Sequence, residues 1–99
     1  MVMFEPMFYN ELAAMLYAHH WYEVTLGHTD WLRQGSVGQE VKSFIRALYG
    51  EEPEEHADYF NVLAEMEHGH HGAITDLWLE FAKWRKNPSV QPSFVLQER

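Results

Sequence analysis

The sequence predicts an all-α protein: a helical bundle of two long helices and one shorter helix, completed by dimerisation. Apolar residues recur at spacings of three and four over long stretches, as on the buried face of an amphipathic helix. Turn-forming residues are sparse and place breaks at residues 35–38, 50–53 and 87–92. No stretch of useful length alternates between apolar and polar residues, which argues against β-strands.

The first long helix is predicted over residues 6–33. Pro6 suits a first helical turn, where its missing N–H is not needed. One face of this helix is formed by Phe8, Leu12, Met15, His19, Tyr22 and Leu26. Gly27 is expected to bend or end the helix, and Thr29 and Asp30 would then cap a short continuation.

The shorter helix is predicted over residues 37–49. Its apolar face consists of Val41, Phe44, Ile45 and Leu48. Gly50 follows at the position where helices commonly end in a left-handed residue.

The second long helix is predicted over residues 53–86, with Pro53 in its first turn. Its charges follow the helix dipole. Acids stand near its start at Glu54, Glu55 and Asp58, and bases near its end at Lys83, Arg85 and Lys86. Residues 1–86 are therefore expected to form a single helical domain, and residues 87–99 an extended C-terminal tail.

The size of the chain favours association. With 99 residues, a single chain buries only roughly 60–65% of its unfolded surface. Aromatic residues make up 15% of the sequence, and such side chains supply much contact area in cores and interfaces. We therefore expect a homo-oligomer, a dimer or larger.

The charge balance excludes several classes of function. The chain has 15 Asp and Glu against 7 Lys and Arg, a net charge of −8, which repels the phosphates of nucleic acids. It has no cysteine, so disulfides, thiolate metal sites and cysteine nucleophiles are excluded. No apolar window is long enough to cross a membrane, no signal peptide is recognisable, and a cytoplasmic protein is expected.

Two polar residues interrupt the apolar seam of the second long helix. The seam steps through Phe60, Leu63, Glu67, His70, Ile74, Leu77, Phe81 and Trp84. Glu67 and His70 are three residues apart, so on one continuous helix they share one side of a turn. A carboxylate and an imidazole are costly to bury without a partner, and an iron, manganese or zinc ion would supply one. Glu-x-x-His projecting inward is the ligand pair of di-iron bundles.

A structural interpretation competes with this one, in which the pair is a hydrogen-bonded polar contact or faces solvent. Glu65 and His68 form a second Glu-x-x-His that misses the seam, so such pairs arise by chance in this sequence. Gly69 and Gly72 would each cost about 1 kcal/mol inside a helix. Alternatively, these two glycines mark a break in the helix, or a position where another backbone segment comes close.

Residues 63–70, Leu-Ala-Glu-Met-Glu-His-Gly-His, resemble the second ligand helix of the rubrerythrin and bacterioferritin group in the ferritin-like superfamily. Residues 10–14, Asn-Glu-Leu-Ala-Ala, are similar to the Asn-Glu-Leu stretch on the first ligand helix of bacterioferritin. The resemblance implies that Glu11 is a bridging carboxylate and that Glu67 and His70 are ligands. The ions would be iron or manganese, and the resemblance implies iron oxidation or storage.

The chain departs from that family in ligand number and spacing. Members carry four ligand helices, so this chain would need a homodimer, as in the small encapsulated ferritins. On a straight helix, Glu11 lies roughly 36 Å before the break at Gly35, whereas Glu67 lies only roughly 21 Å after the break at Pro53. In two helices packed side by side, these carboxylates would therefore not be level with each other. His19 and Glu23, at i and i+4, come closer to level with Glu67. Glu11, His19 and Glu23 therefore compete for the first-helix ligand position.

The remaining histidines have structural interpretations. His19 is alternatively a satisfied core histidine, and His20, His28 and His56 are expected at the surface because they lack partners in the sequence. The four tryptophans are expected to be packing or interface anchors.

Residues 51–67 contain seven acids and no lysine or arginine. The simpler interpretation is a solvated start of a helix. The alternative is a negative surface for a basic partner, which would make the protein a non-enzymatic inhibitor or adaptor. Since there is no Gly-rich phosphate loop and no serine in a nucleophile context, the sequence assigns no catalytic residue.

Overall fold

The computed structural model describes residues 10–27 and 37–94, and all regular structure within these residues is helical. Four α-helices follow one another in this part of the chain: α1 (Glu11–Thr25), α2 (Val37–Tyr49), α3 (Ala57–Glu67) and α4 (Gly72–Lys86). A short 3-10 helix at Pro53–Glu55 precedes α3. The predicted all-α class is confirmed. The predicted count of three helices is not, because the described residues alone form four.

α1 is shorter than the predicted helix over residues 6–33. Asn10 has an extended backbone, and its Oδ1 accepts a hydrogen bond from the Ala13 N–H at 3.1 Å, so it caps the start of the helix. The helix ends at Thr25, and Gly27 follows with a left-handed φ of 79°. Gly27 therefore terminates α1, as one of the two expected outcomes. The predicted start at residue 6 and the predicted continuation over residues 28–33 lie outside the described residues.

α2 matches its predicted bounds. Val41, Phe44 and Ile45 are buried. Gly50 has a φ of 82°, and its N–H donates to the Arg46 carbonyl at 2.7 Å, which satisfies one of the last carbonyls of α2. The apolar face and the left-handed glycine predicted for this helix are both confirmed.

The single helix predicted over residues 53–86 is wrong, because a turn separates α3 from α4. Gly69 has a φ of 81°, a conformation that glycine adopts without a Cβ clash. Its N–H donates to the Met66 carbonyl at 3.0 Å, and the His70 N–H donates to the Glu65 carbonyl at 2.8 Å. These are the two hydrogen bonds of a Schellman motif, which closes the end of α3.

α4 contributes more buried residues than any other described helix, and like α1 it contacts each of the other three α-helices. Its buried residues are Ala73, Ile74, Leu77, Trp78, Phe81, Ala82 and Arg85. The other α-helices contribute Leu12, Leu16, Val41, Phe44, Ile45, Tyr59 and Val62 to the same core. The core is therefore a continuous apolar cluster organised around α4.

A buried ion pair joins α4 to α2. The Arg85 Nη2 lies 2.5 Å from the Glu40 Oε2, and the guanidinium stands over the Phe81 ring, 5.5 Å from its centre. The arginine side chain is only 3% exposed. This contact joins the last turns of α4 to the first turn of α2. Removing either member of the pair would leave the other charge buried and would therefore destabilise the protein.

The described part of the tail, residues 87–94, contains a turn and no helix or strand. The Gln91 Nε2 donates to the Ala47 carbonyl at 2.6 Å, and Phe94 packs half-buried against the core. The tail therefore folds back onto the bundle through these contacts. Residues 95–99, the remainder of the predicted tail, lie outside the described residues.

Replacing Gly69 tests the turn between α3 and α4. Gly69→Ala is expected to lower the free energy of unfolding by about 1–2 kcal/mol, because an L-residue is strained in the left-handed conformation. Urea denaturation of both proteins measures this change. Gly72→Ala is the matched control, since Gly72 lies in the first turn of α4 with a negative φ, and it should be neutral or slightly stabilising. If α3 and α4 were one helix, Gly69→Ala would instead stabilise the protein by about 1 kcal/mol.

Candidate functional site

The structure separates Glu67 from His70. Glu67 is the exposed last residue of α3, and His70 lies after the helix in the exposed turn. The His70 Nδ1 is 2.9 Å from the Glu65 Oε2, so its partner is a different carboxylate. Because the two residues no longer share a helix face, the spacing that made them a predicted ligand pair does not apply. Glu11, another of the predicted carboxylate ligands, is exposed at the first turn of α1.

His19 and Glu23 do lie together, on the side of α1 that faces α4. The His19 Nε2 is 3.2 Å from the Glu23 Oε1, and the two side chains are only 12% and 10% exposed. Burial lowers the pKa of His19 and outweighs the opposing effect of the Glu23 carboxylate, while the nearby His71 lowers it further. The structure thus brings together two of the five predicted ligands, in a site where the imidazole favours its neutral form.

His20 is buried, so its predicted surface position is wrong. Its side chain is fully inaccessible to solvent, and its Nδ1 accepts a hydrogen bond from the Trp78 Nε1 at 3.3 Å. The Nε2 has no hydrogen-bond partner among the described residues. The ring also meets Phe81 edge-on, with 6.1 Å between ring centres. Trp78 is buried with it, which confirms the packing role predicted for this tryptophan.

The surroundings of His20 hold its imidazole in the neutral form. Burial lowers the pKa of His20 to about 4, and the positive charges of Arg85 and of a protonated His19 add to this effect. A neutral imidazole can accept the Trp78 hydrogen bond, whereas a protonated one cannot, because both of its nitrogens then carry hydrogens. We call His19, His20, Glu23 and Trp78 the α1–α4 polar cluster.

The sequence prediction missed His20 because it selected a neighbouring face of α1. The predicted face includes Tyr22 and Leu26, which are 58% and 50% exposed. The helix instead buries Leu12, Ala13, Ala14, Leu16, His20 and Glu23. The spacing of four from Leu12 through Leu16 to His20 was visible in the sequence. Choosing it required placing an imidazole and a carboxylate in the core.

No group of three or more metal-binding side chains comes together among residues 10–27 and 37–94. The α1–α4 polar cluster offers one imidazole and one carboxylate within hydrogen-bonding distance of each other, His19 and Glu23. The His20 imidazole already accepts a hydrogen bond from Trp78. The cluster can therefore hold a proton or supply two ligands, but within one described chain it does not form a closed coordination shell.

The acidic segment lies on the surface. Glu51, Glu52, Glu55 and Asp58 are all exposed, and we call these four residues the acidic face. Glu51 is 3.3 Å from the Arg46 Nε, an exposed pair of the kind that contributes little stability. The other three carboxylates make no ion pair with any residue that the structure describes. This face is therefore a concentrated negative charge open to solvent.

A cavity of about 490 Å³ lies between the end of α4 and the tail. Trp84, Val90 and Pro92 supply its apolar walls, and Glu80 and Lys83 supply one charge of each sign. It contains no nucleophile paired with a general base, so we assign no chemistry to it.

No protein-family model, no curated protein and no solved structure matches this chain. Among the described residues, no helix combines the length and the apolarity that crossing a bilayer requires. Function is therefore inferred from the chemistry and placement of this chain's own residues.

The burial of His20 makes stability depend on pH. The ordinary pKa of 6.5 applies to the unfolded chain, and the pKa of the folded state is about 4. The unfolded state therefore binds more protons between these pH values, so stability is present above about pH 6.5 and is lost as the pH falls towards 4. The loss attributable to His20 should reach about 3 kcal/mol at pH 4.

Denaturant unfolding of the wild type and of His20→Gln at several pH values measures this contribution. The glutamine keeps an acceptor for the Trp78 N–H but does not titrate, so the variant should lose much less stability between pH 7 and 4. His56→Gln, at an exposed imidazole, is the control and should behave as the wild type does. If the wild type and His20→Gln lost the same amount of stability between pH 7 and 4, His20 would not be buried as described.

Proposed function

We propose that this protein is a non-enzymatic interaction protein whose acidic face binds a basic surface on a partner protein. The observation that carries this proposal is the exposure of four carboxylates close together in the sequence, from the end of α2 to the first turn of α3, at Glu51, Glu52, Glu55 and Asp58. Residues 51–67 contain no lysine or arginine, and the only described ion pair of these four carboxylates is the exposed contact between Arg46 and Glu51.

Charge complementarity is what such a face offers a partner. Three of its four carboxylates have no ion pair among the described residues, so binding a lysine or arginine would not require breaking a contact already made. A concentrated negative field accelerates encounter with a basic surface and disfavours acidic partners.

Phe60 is an exposed aromatic side chain on α3, the helix that also carries Asp58. It lies in the first turns of α3, two residues after Asp58, and is 51% exposed. Its ring meets the buried Tyr59 edge-on, with 5.6 Å between ring centres, which restricts its motion. Aromatic residues are enriched at the centres of protein interfaces.

Charge-neutral variants test the proposal. The triple variant Glu52→Gln, Glu55→Gln, Asp58→Asn should lose a basic protein that the wild type retains from lysate at low salt. That partner should be released by about 1 M salt, where the Debye length is about 3 Å. The measurement is the amount and the isoelectric point of the retained protein at each salt concentration.

A second triple variant is the matched control. Glu11→Gln, Glu67→Gln, Glu80→Gln removes the same charge from positions outside the acidic face, and it should retain the partner as the wild type does. If both triple variants retained less of the partner to the same extent, net charge alone would explain the binding, and a defined acidic face would be contradicted. Recovery of no partner at low salt would contradict the proposal altogether.

A second candidate is a ferritin-like metal-binding protein with a carboxylate and histidine site shared between subunits, holding iron or manganese for iron oxidation or storage. The observation that favours it is the nearly buried His19–Glu23 pair. Since one described chain offers two ligands there, a second copy would supply the others. In this proposal Glu23 and His19, rather than Glu11, are the ligands of the first helix.

Metal analysis of protein purified without a histidine tag tests this second candidate. Bound iron or manganese, and a rise in melting temperature on adding Fe(II), are expected because a ligand that binds only the folded state stabilises it. His19→Ala with Glu23→Gln should abolish both effects, whereas His70→Ala, in the exposed turn, should not. Less than about a tenth of an equivalent of metal and no thermal shift would contradict the proposal.

A further inference from the structure

The second half of α1 presents an uncharged face to solvent. Ala18, Trp21, Tyr22, Thr25 and Leu26 follow the i, i+3, i+4, i+7, i+8 pattern of one helix side, and all five are exposed. We call them the α1 outer face. Trp21, Tyr22 and Leu26 are large side chains that are 37%, 58% and 50% exposed.

This face is unusual because the molecule is otherwise highly charged. The chain carries a net charge of −8, yet residues 12–22 contain no Asp, Glu, Lys or Arg. The one acid that follows within α1, Glu23, is turned inward and buried. α1 is therefore the only helix in the described residues whose solvent side has no charge beyond its first residue.

The side chains on this face are held in place. The Trp21 indole meets the rings of Tyr17 and His20 edge-on, with ring centres 6.1 and 5.3 Å apart. The Thr25 hydroxyl donates to the Trp21 carbonyl at 2.9 Å, so this donor is satisfied within the helix. An aromatic surface that is already ordered loses less entropy when it is covered.

We propose that the α1 outer face is where two copies of this chain pair. Two molecules of like charge repel each other at their acidic surfaces, so they approach most easily through a face without charge. A strongly charged partner would find no ion pair there, whereas a second copy presents the same aromatic and aliphatic side chains. A twofold pairing places each such side chain opposite its own kind or a neighbour of it.

The exposed apolar area of this face suits the centre of a small, weak dimer interface. Trp21, Tyr22 and Leu26 together expose roughly 300 Å² of side chain, a size at which exposed apolar patches are commonly functional. A standard interface buries about 800 Å² on each partner. The three large residues would form its centre, with Ala18, Thr25 and their neighbours as the remainder. This pairing needs neither a basic partner nor a metal, so it is independent of both proposed functions.

Sedimentation of the purified protein between about 1 µM and about 1 mM tests the pairing. We expect a monomer–dimer equilibrium that strengthens as salt rises, because screening weakens the repulsion between two negative molecules. Binding through the acidic face has the opposite salt dependence, so failure of either proposal is distinguishable from failure of the other. A monomer at every concentration and at both low and high salt would overturn this one.

Matched charge variants locate the interface. Tyr22→Glu with Leu26→Glu should make the protein monomeric, since four carboxylates would meet in each dimer. Phe60→Glu with Leu79→Glu adds the same charge at side chains of similar exposure, 51% and 54%, on α3 and α4, and should leave the dimer intact. Circular dichroism checks that each variant is folded. A dimer that survives the first pair of substitutions, or that only the second pair disrupts, would overturn the assignment.

The absence of cysteine from the chain allows a second, independent measurement. Single substitutions Ala18→Cys, Tyr22→Cys and Thr25→Cys are each exposed to a mild oxidant, and at least one should form a disulfide-linked dimer rapidly. A residue close to a twofold axis lies opposite its own copy within the reach of a disulfide. Phe60→Cys and Leu79→Cys set the background rate, and no excess over that rate at any α1 position would overturn the proposal.

Discussion

The burial of His20 between α1 and α4 is the constraint on which the rest of the bundle depends. A buried imidazole must remain neutral and must find a donor for its unprotonated nitrogen. The Trp78 indole supplies that donor at 3.3 Å. Apolar side chains can pack in several ways with similar energy, whereas a buried polar contact is satisfied in few orientations. Because α4 also contacts α2 and α3, fixing it against α1 orients the whole core.

Five of the seven histidines fall into two groups with different chemistry. His19 and His20 lie on α1 in contact with α4, where burial lowers the pKa of both. His68, His70 and His71 lie in the exposed turn between α3 and α4. The abundance of histidine in this chain therefore has no single cause. One group shapes the interior, and the other is available to solvent next to the Glu65 carboxylate.

Charge is segregated along the chain, and the fold converts this segregation into two kinds of surface. The uncharged stretch of residues 12–22 becomes a helix with an apolar outer side, and the acidic residues Glu51, Glu52, Glu55 and Asp58 become an exposed face. We propose that the first contacts an identical molecule and that the second contacts a basic one. Long-range repulsion between acidic faces also limits how two copies can meet, so the two surfaces are coupled through the net charge.

The all-α class, the bounds of α2 with its buried face, and the left-handed glycine that ends it were all predictable from the amino-acid sequence, because they follow from local periodicity and from the steric freedom of glycine. The sequence also contained the acidic run. Only the tertiary structure decided which face of α1 is buried, since His20 enters the core by pairing with a tryptophan 58 residues away in sequence. Tertiary contacts likewise decided between a helix and a turn at residues 68–71. There the packing of α3 and α4 as separate helices outweighs the continuity of the apolar seam, and Glu67 and His70 are parted.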